Sequence, residues 1–302
     1  MGCGSALPTR SNLPSSQLLE LRNKQFLIDC GEGMQIRMRQ MPVRVSRMNH
    51  IFISHLHGDH CFGLIGLICT LGMLGRTADL YIHAQPDLER LLQPLINYHG
   101  DGMLYKVHFE PFNPKEHAVI YEDRSVCVST LPLRHRVPCA GFLFEEKPRL
   151  PHILPEQISR YNIPHSSINL IKQGAGFTTE DGTYIPHEQL TTPATSPLRY
   201  AYCSDTAYNE RIIPLIQGVD CLYHEATFGS EMSERARHTM HSTAAQAATI
   251  AQKAQVGQLI IGHFSARHAD QGRLFEEARS IFPNTILAHD GMRHEIRHAI
   301  TS

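Results

Sequence analysis

The sequence contains no apolar run long enough to cross a lipid bilayer. Its longest apolar stretch, residues 61–75, is interrupted by three glycines, whereas a membrane helix needs about 20 apolar residues. The N-terminal segment MGCGSALPTR also lacks the apolar core that directs secretion. We therefore expect a cytoplasmic protein that does not associate with membranes.

Paired cysteines and an excess of positive charge are also missing. The eight cysteines include no C-x-x-C pair, and Cys30, Cys203 and Cys221 stand within apolar runs. Such positions suit small buried thiols better than disulfides or a zinc knuckle. The formal net charge is −1, whereas proteins that bind nucleic acids usually carry a surplus of Lys and Arg. If the protein binds a polyanion such as a nucleic acid, it must do so through a local patch of positive charge.

One such patch is formed by four arginines that lie close together in the chain: Arg37, Arg39, Arg44 and Arg47. The alternative is a solvated helix face followed by a turn, which is the more common role of such a charge run.

What the sequence does contain is a regular alternation of strand and helix patterns. LLELR and QFLID, on either side of Asn23-Lys24, predict a β-hairpin with a two-residue turn. Apolar runs predict further strands at residues 50–54, 80–83, 126–131, 141–145, 200–204, 221–225 and 258–263. Helical stretches lie between several of them, notably residues 242–255 and 271–282. Apolar strands with intervening helices indicate a layered α/β sandwich covered on both faces.

The chain is predicted to be one domain over residues 1–302 with an inserted arm. Its length suits one large core. Between about residues 146 and 197 the composition changes to many Pro, Gly, Thr and polar residues, with short helical pieces such as PEQISRY and HSSINLIKQ. This stretch is expected to project from the domain.

The strongest chemical signal is the segment His55-Leu56-His57-Gly58-Asp59-His60, which follows a strand pattern. It places three imidazoles and a carboxylate on one loop, where they can converge on one point. Zinc binds His nitrogen and carboxylate oxygen in this way, and the 20 histidines of the chain agree with metal chemistry. A His-rich surface turn is the alternative, but four ligand-type residues among six favour a metal site.

The pattern H-x-H-x-D-H after a strand resembles the signature of the metallo-β-lactamase superfamily. This resemblance implies a four-layer αββα sandwich whose remaining ligands follow later strands. His135 follows VCVSTL, Asp205 follows YAYCS, and His263 follows QLIIG. Taken alone, each of these residues is more often structural or exposed. Together, and each at a strand end, they favour ligands.

By similarity to the superfamily, these side chains hold two Zn²⁺ ions per subunit. The resemblance assigns His55, His57 and His135 to one ion, Asp59, His60 and His263 to the other, and Asp205 to both. Two cations roughly 3.5–4 Å apart can generate hydroxide and neutralise charge on the attacking and leaving oxygens of a phosphodiester. The ligand types favour zinc but tolerate manganese or iron.

Two further segments resemble elements of the ribonuclease Z family, namely HEATF at residues 224–228 and HST at residues 241–243. By similarity, Glu225 orients His241 beside the scissile phosphate, where His241 protonates the departing oxygen. The alternative for His241 is an ordinary residue beside a helix cap. Asp59 is expected either to ligate metal alone or also to accept the proton of the attacking water.

The segment HFSARH resembles the family's H-x-S-x-R-Y, with His268 in place of Tyr. Ser265 and Arg267 are therefore expected at the substrate, although Arg267 suits a structural salt bridge equally well. Ser11 stands where the family has Arg. Apolar residues that precede G-x-G-S in the family are also missing, so we expect either an upstream translation start or a truncated sheet edge.

The resemblance implies a zinc-dependent endoribonuclease that removes the 3′ trailer of precursor tRNA, leaving a 3′-hydroxyl on the tRNA and a 5′-phosphate on the trailer. It also implies a homodimer in which the arm, residues 146–197, grips tRNA largely by shape. The arm has IPHSS at residues 163–167 where many bacterial members carry P-P-G-P. Two alternatives stay open: a metal-dependent phosphodiesterase acting on small phosphodiesters, and a non-catalytic RNA-binding scaffold.

Overall fold

The computed structural model describes residues 1–9, 12–267 and 270–298. Ser11 and His268, at which the sequence departs from the family pattern, lie outside the described residues. Contacts divide the chain into two compact units, Met1–Glu145 with Leu198–Ser302 and Glu146–Pro197. None of the helices in the described ranges has both the length and the hydropathy needed to cross a membrane.

The described residues form sixteen strands and ten α-helices. The strands are β1 (Gln17–Leu21), β2 (Lys24–Ile28), β3 (Met48–Phe52), β4 (Leu80–Ala84), β5 (Val107–Pro111), β6 (Val119–Glu122), β7 (Val126–Pro132), β8 (Ala140–Glu146), β9 (His152–Ile153), β10 (Phe177–Thr178), β11 (Tyr184–Ile185), β12 (Thr191–Thr192), β13 (Arg199–Cys203), β14 (Cys221–Glu225), β15 (Leu259–Gly262) and β16 (Thr285–Leu287). The helices are α1 (Met34–Gln40), α2 (Gly58–Cys61), α3 (Gly63–Met73), α4 (Asp87–His99), α5 (Pro155–Arg160), α6 (His165–Lys172), α7 (His187–Leu190), α8 (Ser233–Thr239), α9 (Ala244–Lys253) and α10 (Gly272–Ile281). Short 3₁₀ helices cover Val45–Arg47, Glu210–Leu215 and Ser230–Met232.

Strands β1 to β5 form one sheet in chain order, with β1 antiparallel to β2 and the remaining neighbours parallel. The hairpin β1–β2 has its turn at Arg22-Asn23, one residue earlier than the sequence pattern predicted, because Leu21 pairs with Lys24. Arg22 has φ 52° and Asn23 has φ 63°. A two-residue type I′ turn requires this left-handed conformation at both positions. It suits Asn but costs about 1 kcal/mol at Arg.

The second sheet has seven strands in the order β16-β15-β14-β13-β8-β7-β6. Strands β13 to β16 are mutually parallel, whereas β8 is antiparallel to β13 and β6 is antiparallel to β7. The apolar runs predicted as strands all lie in these two sheets. Because neighbouring strands β13, β14 and β15 run in the same direction, their carboxyl ends meet at one edge.

The main core lies between the two sheets. Phe26 and Phe52 of the first sheet meet Phe142 and Phe144 of the second, with ring centroids 5.3–5.6 Å apart across the interface. All four rings are fully buried. Helices α1, α3 and α4 cover the outer face of the first sheet, and α9 and α10 cover the second. The order of layers is therefore αββα, as predicted.

The smaller unit, Glu146–Pro197, contains α5, α6 and α7 with two short strand pairs, β9–β12 and β10–β11. Its own small core contains Ile163, Ile171, Ile185 and Leu190. A gripping role for this unit stays a prediction.

Two expectations about side chains can be compared directly with the structure. All eight cysteines are free thiols, and Cys30, Cys203 and Cys221 are buried, as their apolar surroundings predicted. In the arginine patch, Arg37 donates to Asp290 Oδ2 at 3.2 Å. Arg37 therefore has a structural partner, which favours the alternative role for this charge run.

Candidate metal centre

The predicted ligands all follow strand ends. The loop after β3 carries His55 and His57, and α2 carries Asp59 and His60. Asp205 lies two residues beyond β13, and His263 lies directly after β15. His263 adopts φ 61°, a left-handed conformation that costs about 1–3 kcal/mol in a residue with a side chain and is concentrated at functional sites.

A first group of ligand atoms surrounds His57. Its Nδ1 lies 3.0 Å from His55 Nε2 and 3.3 Å from His135 Nε2. Asp205 Oδ2 lies 3.6 Å from His55 Nε2 and 3.7 Å from His135 Nε2. Four side chains from three separate loops thus face one point.

A second group surrounds His60 and His263, whose Nε2 atoms are 3.2 Å apart. Asp59 Oδ2 lies 3.5 Å from the first and 3.6 Å from the second of these nitrogens. Asp205 Oδ1 lies 3.4 Å from His60 Nε2 and 3.1 Å from His263 Nε2. Asp205 therefore faces both groups, with one carboxylate oxygen toward each.

These residues fit divalent metal ions. Asp205 Oδ1 is buried and has no hydrogen-bond partner among the described residues, and such an uncompensated atom is costly unless something binds it. Several imidazole nitrogens also face one another at about 3 Å, where a cation would satisfy their lone pairs. The nitrogen and oxygen donors are those that zinc prefers. His241 lies at the edge of this arrangement, with Nδ1 3.9 Å from Asp205 Oδ2.

Hydrogen bonds on the side of the rings that faces away from the centre orient four of the imidazoles. His60 Nδ1 donates to Asp29 Oδ2 at 2.7 Å, and His135 Nδ1 donates to the Met240 carbonyl at 2.9 Å. His263 Nδ1 lies 3.0 Å from Thr227 Oγ1, and His55 Nδ1 lies 3.0 Å from Ser54 Oγ. Each contact holds Nδ1 and leaves Nε2 facing the centre, which is how proteins fix the tautomer of a metal ligand.

Asp29 has a role that the sequence pattern does not predict. It is fully buried at the end of β2, and its carboxylate accepts hydrogen bonds from Ser54 N at 2.8 Å, Ser54 Oγ at 3.0 Å and Tyr202 OH at 2.7 Å. Because it also accepts from His60, Asp29 joins both sheets to the candidate metal centre. The available signal was an acidic residue directly after the apolar run QFLI.

The electrostatic surroundings differ between the two groups of ligand atoms. Burial lowers the pKa of His55 and of His57, so both rings are neutral. Burial by itself would raise the pKa of Asp205, but the neighbouring His263 and His60 hold it well below its usual range. The first group therefore presents neutral imidazoles beside an ionised carboxylate. Burial by itself would lower the pKa of His60, but the carboxylates of Asp205 and Asp29 raise it well above its usual range, so they stabilise positive charge at this position.

Glu225 and His241 form a pair beside the two groups. Glu225, the last residue of β14, accepts from His241 Nδ1 and from Thr206 N, both at 2.9 Å. Burial by itself would lower the pKa of His241, but the charge of Glu225 and their hydrogen bond raise it to about 9. Behind His241, Thr243 and Gln246 form a capping box that fixes the start of α9. His241 is thereby held as a cationic ring at the centre.

An open cleft of about 380 Å³ gives access to the centre. Its wall contains Asp59, Arg136 and His241 together with residues 5–8 of the N-terminal loop, and Ala6 N donates to Asp59 Oδ2 at 2.8 Å. Ser265 and Arg267 do not line this cleft as the described residues form it. Arg267 is exposed, and its backbone N donates to Ser265 Oγ at 3.3 Å.

The chain is similar to proteins of known name and structure. A family model described as Anti-Pycsar protein Apyc1 matches residues 1–149. A relative named Ribonuclease Z from Bacteroides thetaiotaomicron is 54% identical over 292 residues, which cover 97% of this chain and 92% of the relative. The crystal structure of human tRNase Z, short form, matches with a TM-score of 0.71 at 21% identity, covering 98% of this chain and 97% of that one. The metallo-beta-lactamase fold protein YhfI from Bacillus subtilis matches with a TM-score of 0.67 at 18% identity, covering 96% and 95%.

Proposed function

The chain belongs to the ribonuclease Z family, and on that premise we propose that it is an endoribonuclease that removes the 3′ trailer of precursor tRNA. The observation that carries the proposal is the Glu225–His241 pair beside the two groups of ligand atoms, with His241 Nδ1 2.9 Å from Glu225 Oε1. Metal ligands occur in hydrolases of many kinds, whereas this pair supplies a positioned proton donor for a phosphodiester leaving group.

We assign two Zn²⁺ ions to the two groups, with Asp205 shared between them. When bound, such cations lower the pKa of water and neutralise charge on phosphate oxygens. His55, His57 and His135 would hold one ion, and Asp59, His60 and His263 would hold the other. Asp29 supports this assignment because it holds His60 at 2.7 Å.

The side chains divide the proton transfers between them. Water attacks phosphorus, the bond from phosphorus to the 3′-oxygen of the tRNA breaks, and that oxygen takes a proton from His241. Asp59 is proposed to accept the proton that the attacking water loses, in addition to ligating metal. Glu225 is a positioning residue, because it reaches the substrate only through His241. The products are a 3′-hydroxyl on the tRNA and a 5′-phosphate on the trailer.

Recognition is proposed to involve more than the metal centre. The unit Glu146–Pro197 would grip tRNA by shape, and a homodimer in the cytoplasm would pair the arm of one subunit with the centre of the other. Ser265 and Arg267 would contact the substrate outside the cleft. The exposed position of Arg267 supports a phosphate contact better than a buried salt bridge.

The test uses the purified, zinc-loaded protein with a trailer-bearing tRNA, and maps the 3′ end of the product while zinc is counted per chain. We expect cleavage after the discriminator base with two zinc ions bound. Turnover of bis-p-nitrophenyl phosphate without cleavage of the precursor would favour a small-molecule phosphodiesterase instead.

His241→Ala should lower cleavage by about 10²-fold or more while zinc stays bound. His238→Ala is the matched control, because His238 is exposed on the neighbouring α8. If cleavage by the His241 variant equals that of the control, His241 is not the proton donor. If the protein binds RNA without cleaving it, and neither variant changes that binding, the protein is a non-catalytic RNA-binding scaffold.

A further inference from the structure

A second groove, of about 620 Å³, shares His241 with the metal cleft but has otherwise different walls. Its wall includes three charged or ionisable side chains and one aromatic ring in addition to Met240 and His241, namely Arg134, Glu234, Arg237 and Tyr208. None of these except His241 belongs to the candidate metal centre. The groove therefore continues from the proton donor away from the ligands.

The backbone of this groove is fixed. Arg134 N donates to Thr206 Oγ1 at 3.1 Å, and the Arg134 carbonyl accepts from Ala207 N at 2.8 Å. On the opposite wall, α8 ends at Thr239 and is followed by its C-cap residue Met240, which has φ 62°. This left-handed residue turns its carbonyl toward His135 Nδ1. The two walls are thus anchored to the same loops that carry His135 and His241.

The side chains suit a polyanion. Arg134 and Arg237 are both exposed, and neither forms an ion pair with another described residue. Glu234 contributes a carboxylate to the same wall, so the two guanidinium groups, counted without His241, exceed it by one positive charge. Guanidinium groups bind phosphate oxygens in pairs of hydrogen bonds. Tyr208 adds an aromatic ring of the kind on which bases stack.

The reaction geometry indicates which part of the RNA occupies this groove. In an in-line displacement, the attacking and leaving oxygens lie on opposite sides of phosphorus. His241 protonates the leaving oxygen, which is the 3′-oxygen of the tRNA and not part of the trailer. The nucleotide that carries this oxygen must therefore lie on the His241 side of the phosphate. The groove begins at His241 and so is next to the donor that this nucleotide must reach.

We propose that Arg134 and Arg237 bind backbone phosphates on the tRNA side of the scissile bond. This assignment rests on the proposed function, because it takes the leaving oxygen and its donor from that reaction. It makes both arginines binding residues for the mature part of the substrate. The trailer would then bind in the metal cleft, whose wall contains residues 5–8.

The experiment measures the affinity of the metal-loaded protein for mature tRNA and for a trailer-bearing precursor over a range of salt concentrations. In the precursor, a methylene group replaces the 3′-oxygen of the scissile bond, so that the RNA stays intact during the measurement. Arg134→Gln and Arg237→Gln should each weaken binding of both RNAs roughly tenfold. The double variant should lower the slope of log affinity against log salt by about 1.4–1.8, because each phosphate contact contributes about 0.7–0.9. Arg→Lys at both positions should restore most of that slope, since the charge returns.

Arg235→Gln is the matched control, because Arg235 is exposed on α8 and does not line the groove. Weakened binding of the precursor alone would place the trailer in this groove and overturn the assignment. Unchanged affinities, or a slope that Arg→Lys does not restore, would overturn the site itself. If the unmodified protein cleaves no precursor, the proposed function fails and this inference fails with it. If it cleaves while the arginine variants behave like the control, only the groove assignment fails.

Discussion

Replacing His83 with phenylalanine is expected to make the fold less sensitive to acid. His83, in β4, is 3% exposed, stacks on Phe52 with ring centroids 4.4 Å apart, and places Nε2 3.1 Å from His50 Nδ1. Its Nδ1 is buried without a hydrogen-bond partner among the described residues. Burial, and then the neighbouring His50, lowers the pKa of His83 to about 3. The folded protein therefore holds this ring neutral.

The sign and size of the effect follow from proton linkage. An unfolded histidine has a pKa of about 6.5, so below that pH the unfolded chain binds a proton that the folded chain does not. The stability due to the neutral ring is complete above about pH 6.5 and is lost progressively as the pH falls toward about 3. At pH 5 the loss from one such group is about 2 kcal/mol, and at pH 7.5 it is close to zero.

The assay is reversible urea unfolding at pH 7.5 and 5.0, with a chelator present so that metal release does not contribute. Between these pH values the unmodified protein should lose about 2 kcal/mol more free energy of unfolding than His83→Phe. His99→Phe is the control, because His99 is exposed at the end of α4, and it should behave like the unmodified protein. Equal losses in the unmodified protein and in His83→Phe would refute the claim that His83 is held neutral.

Two further substitutions test other parts of the structure. Asp29→Asn should weaken metal binding roughly 10- to 100-fold in chelator competition, because a carboxylate that orients a ligand histidine loses its charge; an unchanged affinity would contradict the role of Asp29 behind His60. Phe144→Ala should lower the free energy of unfolding by about 3–5 kcal/mol in urea, because it leaves a cavity between the two sheets; a loss below about 1 kcal/mol would mean that the ring is not packed as described.

The sequence was informative wherever apolar strands end in polar side chains. The ligands from His55 to His263 each follow such a strand, so their order along the chain predicted one edge of the sandwich. Strands β5, β6 and β16 were not predicted, since they are short and partly exposed and carry no clear apolar alternation. Helix α4 was also missed, and it contains Pro94 in its interior, which usually marks a helix end.

Other features depend on tertiary contacts that no local pattern encodes. Arg22 takes a left-handed conformation only because the register of β1 and β2 requires it. Asp29 follows a strand like the ligands do, but nothing local shows that it will meet His60. Arg134 and Arg237 lie far apart in the chain and share a groove only after β7 and α8 are placed.

The left-handed turn at Met240 has one more consequence. Its carbonyl accepts from His135 at 2.9 Å, and its peptide bond leads directly into His241. A single residue therefore couples the alignment of a ligand ring to that of the acid. Any substitution that let residue 240 relax would disturb both rings together, so the chain cannot readily adjust one for a new substrate while keeping the other in place.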